Sequence, residues 1–175
     1  MSAEHDRPSD MGTWRIERLE AYAADVRGYQ LEHVRFTAQF HAYQSVEPRE
    51  VRLRWAVLSL DANRRSQGDG PQEQYRVSHT DFTLRTWIIE NLGPGPEQAS
   101  DPEALAADTL AALTHDPAQA TAIAADWRSL PIEQIRDLRR HKNLTAHLDR
   151  LVGHLRPGPT TELLKAWIEA RKWLP

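Results

Sequence analysis

Val34-Arg35-Phe36-Thr37-Ala38-Gln39-Phe40-His41-Ala42 decides the fold on paper, because apolar and polar residues alternate through it without a slip. A period of two sends Val34, Phe36, Ala38, Phe40 and Ala42 to one face of a strand. Arg35, Thr37, Gln39 and His41 go to the other, so the stretch predicts a half-buried β-strand. The pattern restarts in Val51, Leu53, Trp55 and Val57, with Arg52 and Arg54 on the opposite parity and Pro48 in the polar loop between. Two such runs predict an antiparallel hairpin. Tyr75 and Val77 open a third run, while Asp81 to Leu92 carries strand alternation and helical spacing together.

Toward the amino terminus, Ile16, Leu19, Tyr22 and Val26 follow helical spacing, and residues 1–12 read as a flexible polar leader. Toward the carboxyl terminus, Gly93-Pro94-Gly95-Pro96 ends whatever precedes it, and helices follow. Asp101-Pro102 and Asp116-Pro117 each set a capping aspartate before a proline at the first helical position, where its missing N–H costs nothing. Ser129 and Pro131 open a third helix, interrupted around Asn143, and Thr160 caps a last one after Pro157-Gly158-Pro159.

The expected fold class is therefore α+β. An antiparallel sheet of three or four strands, in a β-rich lobe over residues 13–95, packs against a bundle of about four helices in a helical lobe over 96–175. An all-α fold with helices over 30–45 and 50–62 is the alternative, against which strict alternation argues.

Composition narrows function mainly by exclusion. Hydrophobic residues make up 40% of the 175 and charged residues 27%, which places the chain among ordinary globular domains. No apolar run approaches the roughly 20 residues a membrane-spanning helix needs. The polar leader lacks the apolar core of a signal peptide, and cysteine is missing, so a cytoplasmic protein is expected, without disulfides or zinc-thiolate sites. Only three of the 22 basic residues are lysine, a bias expected of a GC-rich bacterial genome. Net charge is −3 but uneven: residues 96–127 hold six acidic side chains and no lysine or arginine, while from Arg128 onward ten basic residues face five acidic ones.

On the expected sheet, Arg35, His41, Arg52, Arg54 and Arg76 share the outward parity. Neighbouring cations there call for a negative cover, either an anionic ligand or an acidic segment of the chain itself. Arg136, Arg139 and Arg140 share a helix face, the arrangement a phosphate-contacting helix requires. Trp173, close to the chain end, is a bulky aromatic either docked on the fold or offered to a partner. No metal site is expected from the histidines: the pairs His79 with Asp81, His33 with His41, and His147 with His154 lack ligand spacing. No nucleophile elbow or phosphate-binding glycine loop is present, so neither a cofactor nor a catalytic residue is assigned.

These observations point to a non-catalytic protein–protein interaction or adaptor module, with a protein partner or self-association and no membrane. The alternatives are a nucleic-acid or anionic-ligand binder using the arginines, and an enzyme with a pocket between sheet and helices holding His33, His41 or His79.

Overall fold

In the structure, a computed structural model describing Pro8, residues 10–66, Gly68 and residues 70–175, every regular element is helical. The helices are α1 (Ile16–Asp25), α2 (Tyr29–Gln44), α3 (Arg49–Arg65), α4 (Pro71–Leu92), α5 (Pro102–Ala111), α6 (Pro117–Ala124), α7 (Ile132–Leu144), α8 (Leu148–Leu151) and α9 (Pro159–Arg171). No strand occurs among the described residues, so the α+β expectation and its amino-terminal sheet are overturned in favour of the all-α alternative.

The reason lies in how a helix sorts alternating residues. At 100° per residue, positions two apart fall on nearly opposite sides, whereas positions four apart fall together. The alternating run is therefore two interleaved helical series. Val34, Ala38 and Ala42 form one and are buried; Phe36 and Phe40 form the other and face solvent. Arg35 and Thr37, expected outside, are buried instead. The supposed second strand lies in α3, where Leu53 and Trp55 are buried and Val57 is exposed, so its strand parity is not kept either. The third run, Tyr75 to Thr80, and the ambiguous segment to Leu92 both belong to α4.

The chain forms two compact units, the first ending at Leu84 and the second beginning at Arg85, so that α4 contributes to both. In the first, α2 and α3 make an antiparallel helical hairpin across a short turn at residues 45–48, and α1 packs on both. Ala38, Ala42 and Ala56, all fully buried, keep the contacting faces thin, and Ser59 Oγ on α3 donates to the Arg35 carbonyl of α2 at 3.1 Å. Arg52 Nε donates to the Ala42 carbonyl at 3.0 Å, satisfying an acceptor in the last turn of α2. Of the expected leader, residues 1–7 and Ser9 lie outside the described residues; Met11, in a short 3-10 turn, is fully buried.

In the second unit both aspartates cap as the sequence has it, but Thr160 does not: α9 begins at Pro159 with Gly158 at its N-cap and no side-chain cap hydrogen bond. Asp101 accepts from the Glu103 amide at 2.9 Å, and Asp116 forms a reciprocal capping box with Gln119. The break expected near Asn143 falls after Leu144, and Gly93, at φ 87°, takes the left-handed position just past α4 that suits glycine. Trp167 on α9, with Leu105, Leu138, Leu148, Leu151 and Leu164, makes the core.

Candidate functional site

Helix α2 has two apolar faces on opposite sides. Leu31, Val34, Ala38 and Ala42 face inward; Tyr29, Phe36 and Phe40 face outward, with Phe36 57% and Phe40 61% exposed. Tyr29, His33, Phe36, Phe40 and Tyr43 follow alternating steps of four and three. That is the spacing of a coiled-coil seam, and over 15 residues it runs about 21 Å. Tyr29 meets the His33 ring edge-on at 4.7 Å. The Arg35 guanidinium lies 3.8 Å over the Phe36 ring and is held there by Glu32, which accepts from Arg35 Nε and Nη2 at 3.1 and 2.9 Å. Burial pushes the Glu32 carboxyl up, but hydrogen bonds from Arg35 and Ser66 and the charges of Arg35 and Arg76 outweigh it and hold the group below its ordinary value. The charges beside the seam therefore cancel within the helix.

At its carboxyl end the seam opens into a cleft of about 810 Å³, lined by Trp14, Phe40, His41, Val46, Arg54 and Trp55 among others. The His41 ring stacks on Trp55 at 4.5 Å. Its Nε2 lies 3.0 Å from the Gly12 carbonyl, an acceptor only, so that nitrogen carries the proton. Arg54 donates to Glu20 at 2.7 and 2.5 Å and to Glu17 at 2.9 Å; hydrogen bonds to Glu20 and then Glu17 hold its pKa above the ordinary arginine value. Glu47 accepts from Ser45 Oγ at 2.8 Å. These contacts tie α3 to α1 and hold Ser45 to Glu47 in the turn after α2.

The arginines expected on one sheet face are distributed by the helices. Arg35 is buried against Glu32; Arg52 caps α2; Arg54 bridges α3 to α1; Arg76 on α4 pairs with Glu32 and Glu73 at 3.1 and 2.9 Å. With no sheet among the described residues they share no sheet face, and each is held instead by a carboxylate or carbonyl of its own unit. On α7, Arg136 pairs with Glu133 at 2.7 Å, Arg139 is exposed and Arg140 half-buried. Trp173 is 70% exposed at one end of a shallow groove lined by Pro117, Ala118, Ala122, Ala166 and Ala170.

The sequence reading placed His41 and Arg54 without seeing the cleft they share, and it missed the seam. The signal was present, since Tyr29, His33, Phe36, Phe40 and Tyr43 keep their four-and-three spacing in the bare sequence. A strand assignment hides it by assigning Phe36 and Phe40 to the core. No helix among the described residues is long and apolar enough to cross a membrane. Comparison of the chain with protein-family models, with curated proteins and with solved structures found no match.

Proposed function

We propose that the protein is a non-catalytic interaction module that self-associates through the outer face of α2, in a cytoplasmic setting. The observation that carries this reading is the pair of exposed phenylalanines on the side of α2 opposite its packed face. A helix already buried along one stripe has no need of a second apolar stripe for its own fold, and an aromatic row left in water marks a contact surface.

A second copy fits the row. Under a two-fold axis through Phe36 in an antiparallel pair, Tyr29 stands level with Tyr43, His33 falls within one residue of Phe40 and Phe36 meets its own copy. The flanking Gln39 and Gln44 are neutral, and Glu32 and Arg35 neutralise each other, so the two surfaces approach without like-charge repulsion. The exposed area of Tyr29, Phe36, Phe40 and Val46 in two copies is on the order of 1,000 Å², the low end for a specific interface. A weak dimer with a strong dependence on concentration follows.

Sedimentation equilibrium of the full chain over a wide concentration range tests this. The expected result is a mass rising above the 20.0 kDa monomer, with Phe36→Glu and Phe40→Glu monomeric throughout and unchanged in helicity and Tm. A wild-type chain that stays monomeric at every concentration, or a glutamate variant that associates as tightly as wild type, overturns it.

A further inference from the structure

The second unit holds a cluster of donors that the interaction surface does not use. Asp137 and His141 stand four apart on α7, hence on one face, and His115 comes to them from the turn between α5 and α6. One ligand atom from each of the three lies within 4.8 Å of the others. His115 Nε2 is 3.2 Å from Asp137 Oδ2. A cavity of about 310 Å³ adjoins them, lined by His115, Asp137, Ile123, Glu133, Gln134 and Leu138. We propose that His115, Asp137 and His141 bind a divalent transition metal ion, zinc foremost, with its remaining coordination position opening on that cavity.

The chemistry of the donors selects the ion. Two imidazole nitrogens and one carboxylate oxygen suit zinc or its first-row neighbours and disfavour magnesium and calcium, which take oxygen ligands. Two ligands one helical turn apart, completed by a third from a distant segment, is how a helix supplies such a site.

Geometry sets His141 for the task. Its Nδ1 lies 2.7 Å from the Asp137 main-chain carbonyl, which can only accept, so Nδ1 carries the proton and Nε2 presents a lone pair. A ligating histidine is commonly oriented in this way, through its other nitrogen. The ring is 2% exposed and sits between His115, at 5.2 Å, and Trp167, at 5.6 Å, in a nearly parallel stack that fixes its plane. Nε2 accepts from the Thr114 amide at 3.1 Å and lies 3.1 Å from the Thr114 hydroxyl, and a bound ion takes the place of both. Thr114 is exposed in the turn, so its N–H passes to water without being buried unsatisfied.

Tetrahedral zinc, with bonds near 2.0–2.1 Å, wants its donors about 3.4 Å apart. Closure of roughly 1–1.5 Å is needed from the widest separation, and His115, half-buried and outside any helix, is the group placed to supply it. An ion pair of His115 with Asp137 accounts for two of the three groups and the Thr114 contacts for the third, so a bound ion competes with both.

The full chain, titrated with zinc chloride in a calorimeter and by NMR of its histidine ring protons, tests the proposal. One equivalent is expected to bind, shifting the His115 and His141 resonances at the first equivalent and leaving the other six histidines until excess. His115→Ala, a half-exposed change that spares the core, and Asp137→Ala are each expected to weaken binding by roughly tenfold or more. Absence of binding overturns the proposal. So does binding that moves other histidines first, or that survives His115→Ala and Asp137→Ala undiminished in chains whose melting curves show them folded.

Discussion

The two units are both helical, yet they write their helices differently. The first uses long elements, α2 and α3 of 16 and 17 residues and the larger part of the 22-residue α4, and α2 and α3 start without any side-chain cap hydrogen bond. The second uses shorter ones, and α5 and α6 each open on an aspartate that caps and a proline that follows it. Its core gathers on α9, where Trp167 is 1% exposed, whereas the first unit interleaves small residues along α2 and α3; charged pairs tie helices together in both, Arg54 with Glu20 in the first and Arg85 with Asp108 in the second. One helical architecture can thus rest on an aromatic centre or on thin contacting faces, with ion pairs between helices in either case.

Trp167→Ala cuts deepest into that contrast. It removes the largest fully buried side chain of the second unit and one side of the His141 stack, and a loss of about 3–5 kcal/mol is expected in urea unfolding. A loss below about 1 kcal/mol would show that the leucines around it close the gap, and the second unit would then lack the single centre ascribed to it.

The first unit's counterpart is Glu32→Gln, expected to cost about 1–2 kcal/mol at neutral pH, because the buried Arg35 and the Arg76 guanidinium then face a neutral amide. The pH dependence has a definite sign. Glu32 titrates below its ordinary 4.5 in the folded chain, so its stabilisation is complete above the unfolded value and is lost as pH falls through the folded one. Wild type and Glu32→Gln should therefore converge in stability as the solution is acidified. A gap that stays constant into acid would mean that the glutamate contributes through shape, not charge.

The same contrast explains what could be read in advance. Asp101-Pro102, Asp116-Pro117 and Gly93 act locally, through a cap hydrogen bond, a fixed φ and a left-handed turn, so they mean the same thing whatever the tertiary context. Periodicity does not, because it presumes one apolar face per element. Phe36 and Phe40 break that presumption, and with two apolar faces α2 mimics the alternation of a strand from Val34 to Ala42. The buried Arg35 was illegible for a related reason: burial of an arginine depends on a partner, and Glu32, three residues earlier, lies on the opposite face in a strand and on the same side in a helix. The His115, Asp137 and His141 cluster needed the turn before α6 to be folded against α7, which no spacing within either segment encodes. Only its Asp137 and His141 half is visible as a pair four apart.

Trp173→Ala is the smallest effect and the sharpest comparison with Trp167, six residues earlier on the same chain. Leu174 is buried beside it, and Lys142 Nζ donates to the Leu174 carbonyl at 2.7 Å, so the chain end is anchored by its neighbour while the indole points outward. Removing an indole that is 70% exposed should change unfolding free energy by less than about 0.5 kcal/mol. Sedimentation then separates two roles for it. If association runs through α2 alone, Trp173→Ala dimerises like wild type. If it weakens association as much as Phe36→Glu does, the contact includes the groove between α6 and α9, and the seam on α2 is only part of the surface. A fall in Tm of several degrees would instead make the indole a core residue, and its exposure would no longer argue for contact with another molecule.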